Sequence, residues 1–237
     1  SPRPRVTVTE VGTRDGFQSE PAFIPTAVKA EILDALIAAG LRHIEATSFV
    51  SPRAVPQLAD AHELIGLLMR RAQAHIAALV PNARGAERAL GAAVDEMVCF
   101  VSASEAHNAK NLNATIAQSL ANVAEVAQVG AGQPVALRGA VACAFGCPFE
   151  GEVPVERVIE VVQRVADAHP FEIALADTIG VGVPAQVTEL VSRVREAVPG
   201  IPLRCHFHNT RNTGLANAFA AVQAGIRTLD ASLGGIG

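Results

Sequence analysis

His206 and His208, one residue apart, and the adjacent Arg14 and Asp15 are the side chains of this sequence best suited to chemistry. In an extended segment residues two apart point to one face, so the imidazoles of His206-Phe207-His208 can share a single cation. Neutral imidazole nitrogens suit Mn, Zn, Co or Fe, and a carboxylate can complete such a site. The bland alternatives are a polar strand end for H-x-H and a simple salt bridge for Arg14-Asp15. Gly12 and Gly16 flank that pair, and glycine removes Cβ where something approaches the backbone closely. Asp177-Thr178-Ile179-Gly180-Val181-Gly182 is a third candidate, or else an aspartate followed by an ordinary glycine turn. Glu45 either orients Arg14 or a ligand, or is a satisfied carboxylate at a strand end.

These residues need elements that bring them together. Strands are expected over 6–11, 43–48, 76–80, 96–102, 135–142, 171–176, 203–207 and 228–232. Helices are expected over 27–39, 57–71, 83–93, 113–129, 155–168, 184–198 and 213–225. The first helix has apolar Val28, Ile32, Leu33, Leu36 and Ile37, and Gly40 stands where a helix-ending glycine belongs. Strict alternation argues for parallel strands joined by crossover helices. The strands are short and apolar, as when both faces are covered, and a count near eight favours a closed ring. The expected fold is α/β, a (β/α)₈ TIM barrel forming one catalytic domain over 1–237. Barrel active sites lie at the C-terminal ends of the strands. Arg14 and Asp15 fall just past the first strand, Glu45 near the end of the second, Asp177 and Thr178 at the sixth, and His206 and His208 at the seventh. Strands one and seven are near neighbours in a ring of eight, which makes Asp15 the natural third ligand. The sequence stops just after the last strand, so a C-terminal helical segment is expected beyond Gly237.

Composition narrows the partners. Half of the 237 residues are apolar, enough for a sizeable core. With 19 Lys plus Arg against 23 Asp plus Glu, the net charge of −4 offers no footprint for nucleic acid. No segment reaches the roughly 18 apolar residues that a membrane span needs. Neither nucleic acid nor membrane is an expected partner. Cys99, Cys143, Cys147 and Cys205 lack zinc-finger spacing and are expected to be reduced thiols in a cytoplasmic protein. Cys143 and Cys147 read as structural, and His43, His62, His75, His107 and His169 have no evident partner.

Five segments carry a resemblance that covers nearly the whole chain. They are Glu10-Val11-Gly12-Thr13-Arg14-Asp15-Gly16-Phe17-Gln18, Ile44-Glu45-Ala46-Thr47-Ser48-Phe49-Val50-Ser51-Pro52, Gly146-Cys147-Pro148-Phe149-Glu150-Gly151, Asp177-Thr178-Ile179-Gly180-Val181-Gly182 and His206-Phe207-His208. The chain resembles the 3-hydroxy-3-methylglutaryl-CoA lyases, within the wider group of metal-dependent barrel aldolases and acyl-CoA condensing enzymes. The resemblance implies that Asp15, His206 and His208 bind Mg²⁺ or Mn²⁺, and that Arg14 stabilises the enolate oxygen of the thioester. It gives Glu45 and Asp177 a supporting role at the site and the substrate's polar end, and places Gln18 and Thr178 against the bound acyl-CoA. It implies cleavage between C2 and C3 to acetyl-CoA and acetoacetate, with Asp15 or His206 as the base, in a homo-oligomer of two or more subunits. An isopropylmalate-type synthase or a CoA-independent aldolase would share the barrel, but Gly146-Cys147-Pro148-Phe149-Glu150-Gly151 weighs against both. The intact Arg14, Asp15, His206 and His208 weigh against a scaffold without activity.

Three departures stand out. After His208 the chain reads Asn209-Thr210-Arg211-Asn212, where the well-known lyases have an Asp, then an aromatic and a glycine; against the resemblance, this departure raises the expectation of a subfamily with a different acyl group. Pro21 stands where a basic residue that helps hold CoA is usual. The family's catalytic cysteine and an asparagine metal ligand belong to a glycine-rich loop expected beyond Gly237, and none of the four cysteines takes that place.

Overall fold

The computed structural model describes residues 5–237. Its strands are β1 (Thr7–Glu10), β2 (His43–Ser48), β3 (His75–Leu79), β4 (Glu96–Ser102), β5 (Ala136–Ala142), β6 (Glu172–Asp177), β7 (Leu203–Phe207) and β8 (Thr228–Ala231). They pair in parallel in chain order, and β8 pairs with both β7 and β1, which closes the expected barrel. The helices are α1 (Thr26–Ala38), α2 (Ala61–Leu67), α3 (Ala83–Gly91), α4 (Glu105–Leu112), α5 (Ile116–Gly130), α6 (Val155–Ala166), α7 (Pro184–Ala197) and α8 (Gly214–Gln223). No helix among the described residues is long and apolar enough to cross a membrane.

The pleat divides each strand between two surroundings. On β6, Ile173 and Leu175 point outward and are fully buried under α6 and α7, with Val158, Val161, Val162 and Val165 supplying one face of α6. Burying one such side chain stabilises the fold by about 1.5–3 kcal/mol. The intervening Glu172, Ala174 and Ala176 are left for the lumen. The same division on β4, β5 and β7 sends Glu96, Arg138, Arg204 and His206 inward.

Two regions differ from the sequence expectation. The single helix expected over 57–71 is broken into a turn at Pro56–Leu58, the short α2 and a turn at Arg71–Gln73. Buried Lys29 draws in the Gln57 carbonyl and the Asp60 carboxylate, and the Asp34 carboxylate accepts from the N–H groups of Met69 and Arg70. These tertiary bonds outbid the helix ladder at both ends. An unexpected helix, α4, precedes α5. Ser104 caps its start by accepting from the His107 N–H, and Asn113 ends it in the left-handed region at φ 50°. Thr115 and Gln118 then form a reciprocal cap that starts α5 later than the expected residue 113.

Candidate active site

The C-terminal ends of the strands enclose a cavity of about 750 Å³. Strand β7 delivers His206 to its wall, and His208 follows one residue past the end of the strand. Between β1 and α1 the chain makes a wide helical turn, Gly12–Gly16, which presents Arg14 and Asp15. The close approach implied by the two glycines is internal. The Gly12 N–H donates to Glu10 Oε1 at 2.7 Å, and a Cβ on Gly12 would meet that same oxygen at 2.7 Å. A Cβ on Gly16 would meet the Ile236 side chain at 2.8 Å.

Three ligand atoms converge in this cavity. Asp15 Oδ2 lies 3.6 Å from His206 Nε2 and 3.5 Å from His208 Nε2, and the two imidazole nitrogens are 3.2 Å apart. Asp15, His206 and His208 are the one group of three such residues among the described residues able to hold a metal ion. The donor chemistry fits a divalent cation. Burial alone would raise the Asp15 pKa, but its bond with His206 and the charge of Arg14 hold it below the usual carboxylate range, so it is an anion. Burial and the neighbouring His206 lower the His208 pKa, which favours the neutral, ligating imidazole. Burial would also lower His206, yet Asp15 and Asp230 outweigh it and raise it to about 9, so this centre demands positive charge. The ion-paired groups point the same way. Asp15, Glu45, Glu96, Glu172 and Asp230 face only Arg14, Arg138 and Arg204, an excess of two negative charges before the histidines are counted.

These groups form a ring. His206 Nδ1 lies 3.1 Å from Asp230 Oδ2, which faces Arg138 Nη1 at 3.8 Å. Arg138 Nη2 donates to Glu45 Oε2 at 2.8 Å, and Glu45 Oε1 accepts from Arg14 Nε at 2.5 Å. Arg14 Nη1 returns to Asp15 Oδ1 at 2.5 Å, and Gln18 Nε2 donates to the same oxygen at 3.1 Å. Asp230 and Arg138 had gone unnoticed in the sequence. By occupying Nδ1, Asp230 leaves Nε2 of His206 free for a cation, the usual role of an outer carboxylate at a metal-bound histidine. Asp230→Asn is expected to weaken Mn²⁺ binding about 10- to 100-fold. Isothermal titration of the folded variant checks this, and wild-type affinity would remove Asp230 from the site.

The other expected residues are placed as follows. Glu45 is 1% exposed, and its carboxylate accepts from Arg14 Nε. Gln18 and Thr178 line the cavity, and Thr178 Oγ1 also accepts from the Cys143 N–H at 2.8 Å. Asp177 is buried, and its carboxylate accepts from the N–H groups of Val181 and Gly182, both at 3.0 Å. It shapes the loop after β6 and does not line the cavity. Asn209 turns toward the start of α8, where its side-chain oxygen accepts from the Gly214 N–H at 3.0 Å. The four cysteines are free and buried; Cys147 Sγ sits 2.9 Å from Ser104 Oγ and accepts from two backbone N–H groups of its own loop. His75, unpartnered by sequence, pairs with Glu96 at 2.9 Å.

The HMGL-like family model matches residues 5–237. The mitochondrial hydroxymethylglutaryl-CoA lyase of Arabidopsis thaliana is 42% identical over 98% of this chain, which spans 50% of that protein's length. An (R)-citramalyl-CoA lyase of Chloroflexus aurantiacus is 41% identical, with 98% of this chain and 76% of that protein covered. A solved HMG-CoA lyase of Acinetobacter baumannii, in complex with coenzyme A and 3-methylmalate, superposes with a TM-score of 0.94 at 40% identity, covering 98% of this chain and 76% of that one. A match of this extent, on a barrel that gathers Arg14, Asp15, His206 and His208 at one mouth, makes the chain a member of the HMGL-like family.

Proposed function

We propose that the chain cleaves 3-hydroxy-3-methylglutaryl-CoA, or a closely related branched 3-hydroxyacyl-CoA, to acetyl-CoA and acetoacetate or the corresponding keto acid. The observation that carries this reading is the convergence of Asp15, His206 and His208 beside an Arg14 whose guanidinium is pinned by Glu45. Family membership and the coenzyme A bound by the Acinetobacter relative support an acyl-CoA substrate. The (R)-citramalyl-CoA lyase among the relatives supports a neighbouring thioester as the second choice. The four free thiols suit a reducing, cytoplasm-like compartment.

Asp15, His206 and His208 would hold Mg²⁺ or Mn²⁺, which when bound acts as a Lewis acid that lowers the pKa of the substrate's C3 hydroxyl. Either Asp15 or His206 takes that proton. As the proton leaves, the C3 oxygen becomes a carbonyl, the C2–C3 bond breaks and its electron pair passes to the thioester as an enolate. Arg14 sets a fixed positive charge where the enolate oxygen develops. Protonation of C2 then gives acetyl-CoA, so atoms and charge balance. We take the described residues, 5–237, to do this as one catalytic domain.

Release of acetyl-CoA from 3-hydroxy-3-methylglutaryl-CoA by the purified protein with Mg²⁺ or Mn²⁺ tests the proposal. Turnover of citramalyl-CoA alone would replace the substrate and keep the chemistry. Asp15→Ala, His206→Ala and His208→Ala are each expected to weaken Mn²⁺ binding, followed by electron paramagnetic resonance. Undiminished affinity in all three would refute the metal centre.

A further inference from the structure

The wall of the cavity is divided by chemistry. The side formed by β7, β8, β1 and β2 is polar, carrying His206, Asp230, Asp15, Arg14 and Glu45. The facing side, from β4 to β6, is apolar and built largely of the smallest side chains. Ala140 and Ala142 on β5 and Ala174 and Ala176 on β6 all line the cavity, next to Phe100 on β4. The strand register makes them one patch: Phe100 pairs with Ala140, Ala140 with Ala174, and Ala176 with His206. Barrel lumens are ordinarily filled by layers of bulky branched side chains. Here the outward-facing Val141 and Leu175 on the same strands keep that bulk, whereas the inward positions beyond Arg138 and Glu172, at Ala140, Ala142, Ala174 and Ala176, are reduced to methyl groups. Ala140, Ala142 and Ala176 remain partly open to the cavity.

We infer that this alanine patch receives the alkyl substituent on C3 of the substrate, and that it makes room for a group longer than methyl. The inference rests on the lyase reading above. A substrate oxygen at the Asp15, His206 and His208 centre puts C3 next to His206. Ala176 is the neighbour of His206 on the adjoining strand, about 4.8 Å away across the sheet. From there the methyl-lined wall runs down the lumen toward Ala174 and Ala140, with the Phe100 ring at its edge. An alkyl chain lying along it is removed from water without meeting a charge, because Arg138 below it is taken up by Glu45 and Glu96. The substrate class is therefore CoA thioesters of 3-hydroxy-3-alkylglutarates with an alkyl group of several carbons, cleaved to acetyl-CoA and a longer 3-oxo acid.

The test compares 3-hydroxy-3-methylglutaryl-CoA with 3-hydroxy-3-butylglutaryl-CoA on the purified protein with Mn²⁺. The butyl thioester is expected to have a kcat/KM equal to or above that of the methyl thioester, and a lower value overturns the inference. Ala140→Leu, with Ala140→Val as the milder variant should leucine prevent folding, is expected to shift the preference about tenfold or more toward the methyl thioester. An unchanged preference in a folded variant also overturns it. Cleavage of the methyl thioester with refusal of the butyl one sinks this inference and leaves the lyase reading standing. Cleavage of neither sinks both.

Discussion

Arg14→Met is expected to lower kcat about 10²- to 10³-fold, the range seen when a preorganised donor to a developing oxyanion is removed. The expectation follows from how Arg14 is held. Its Nε is fixed by Glu45 and its Nη1 by Asp15, while Nη2 has no bond to any described residue and the side chain lines the cavity. The group is thus oriented before substrate arrives and has donors to spare. Its charge also opposes a cation on Asp15, so the variant should bind Mn²⁺ as tightly as the wild type or more tightly. The two readouts separate roles: kcat should collapse while metal affinity holds. Arg14→Lys should restore little, because an ammonium cannot span Glu45 and Asp15 as the planar fork does. Near-normal turnover by Arg14→Met would remove it from the mechanism.

The part of this site that sequence makes legible is the part encoded by short-range geometry. A strand repeats every two residues, so His206 and His208 are expected to share a face; His208 falls one residue past β7, yet the two imidazole nitrogens lie 3.2 Å apart. The alternation of strands and helices was enough to place Asp15 near them, since only ring closure joins residues so far apart in the chain. Asp230 had no such signal. It is a single acid in Thr228–Ala231, and its partner His206 is on another strand. Arg138 likewise sits in an apolar run, with its partner Glu45 distant in sequence. A usable signal did exist. Glu96, Arg138, Glu172 and Arg204 place one inward charge near the base of each strand from β4 to β7, alternating in sign. Lone charges inside apolar strands are costly unless paired, so such a series announces a lumen network. The broken helix near 57–71 was illegible for a different reason. Periodicity reports a helix's own preference, but Lys29 and Asp34 impose tertiary bonds on its backbone and side chains.

The lumen network makes a second large effect predictable. Arg138 is 1% exposed and joins Glu45, Glu96 and Asp230. Arg138→Met leaves buried carboxylates short of a partner, which costs about 3–5 kcal/mol. At about 2–4 °C per kcal/mol for a chain of this size, the melting temperature should fall by roughly 6–20 °C. The pH dependence has a definite sign. Burial would raise the Glu96 pKa, but Arg138 and His75 outweigh it and hold it at about 2, against 4.5 for a free carboxyl. A depressed carboxyl contributes stability that is fully present above about 4.5 and lost as pH falls toward 2. Removing Arg138 should therefore move acid unfolding to higher pH. Thermal melts at neutral and acid pH check both effects, and a loss within about 1 kcal/mol would show the pair to be no better than its hydrophobic replacement. A compensated variant carries the argument to the site. Arg138→Met combined with Glu96→Gln removes the stranded charge, so stability should largely return. Glu45 still lacks the Nη2 donor that fixes its second oxygen, and Glu45 is what aims Arg14. Catalysis should therefore stay impaired in a protein whose melting temperature has recovered, and parallel recovery of kcat would break the link from Arg138 through Glu45 to Arg14.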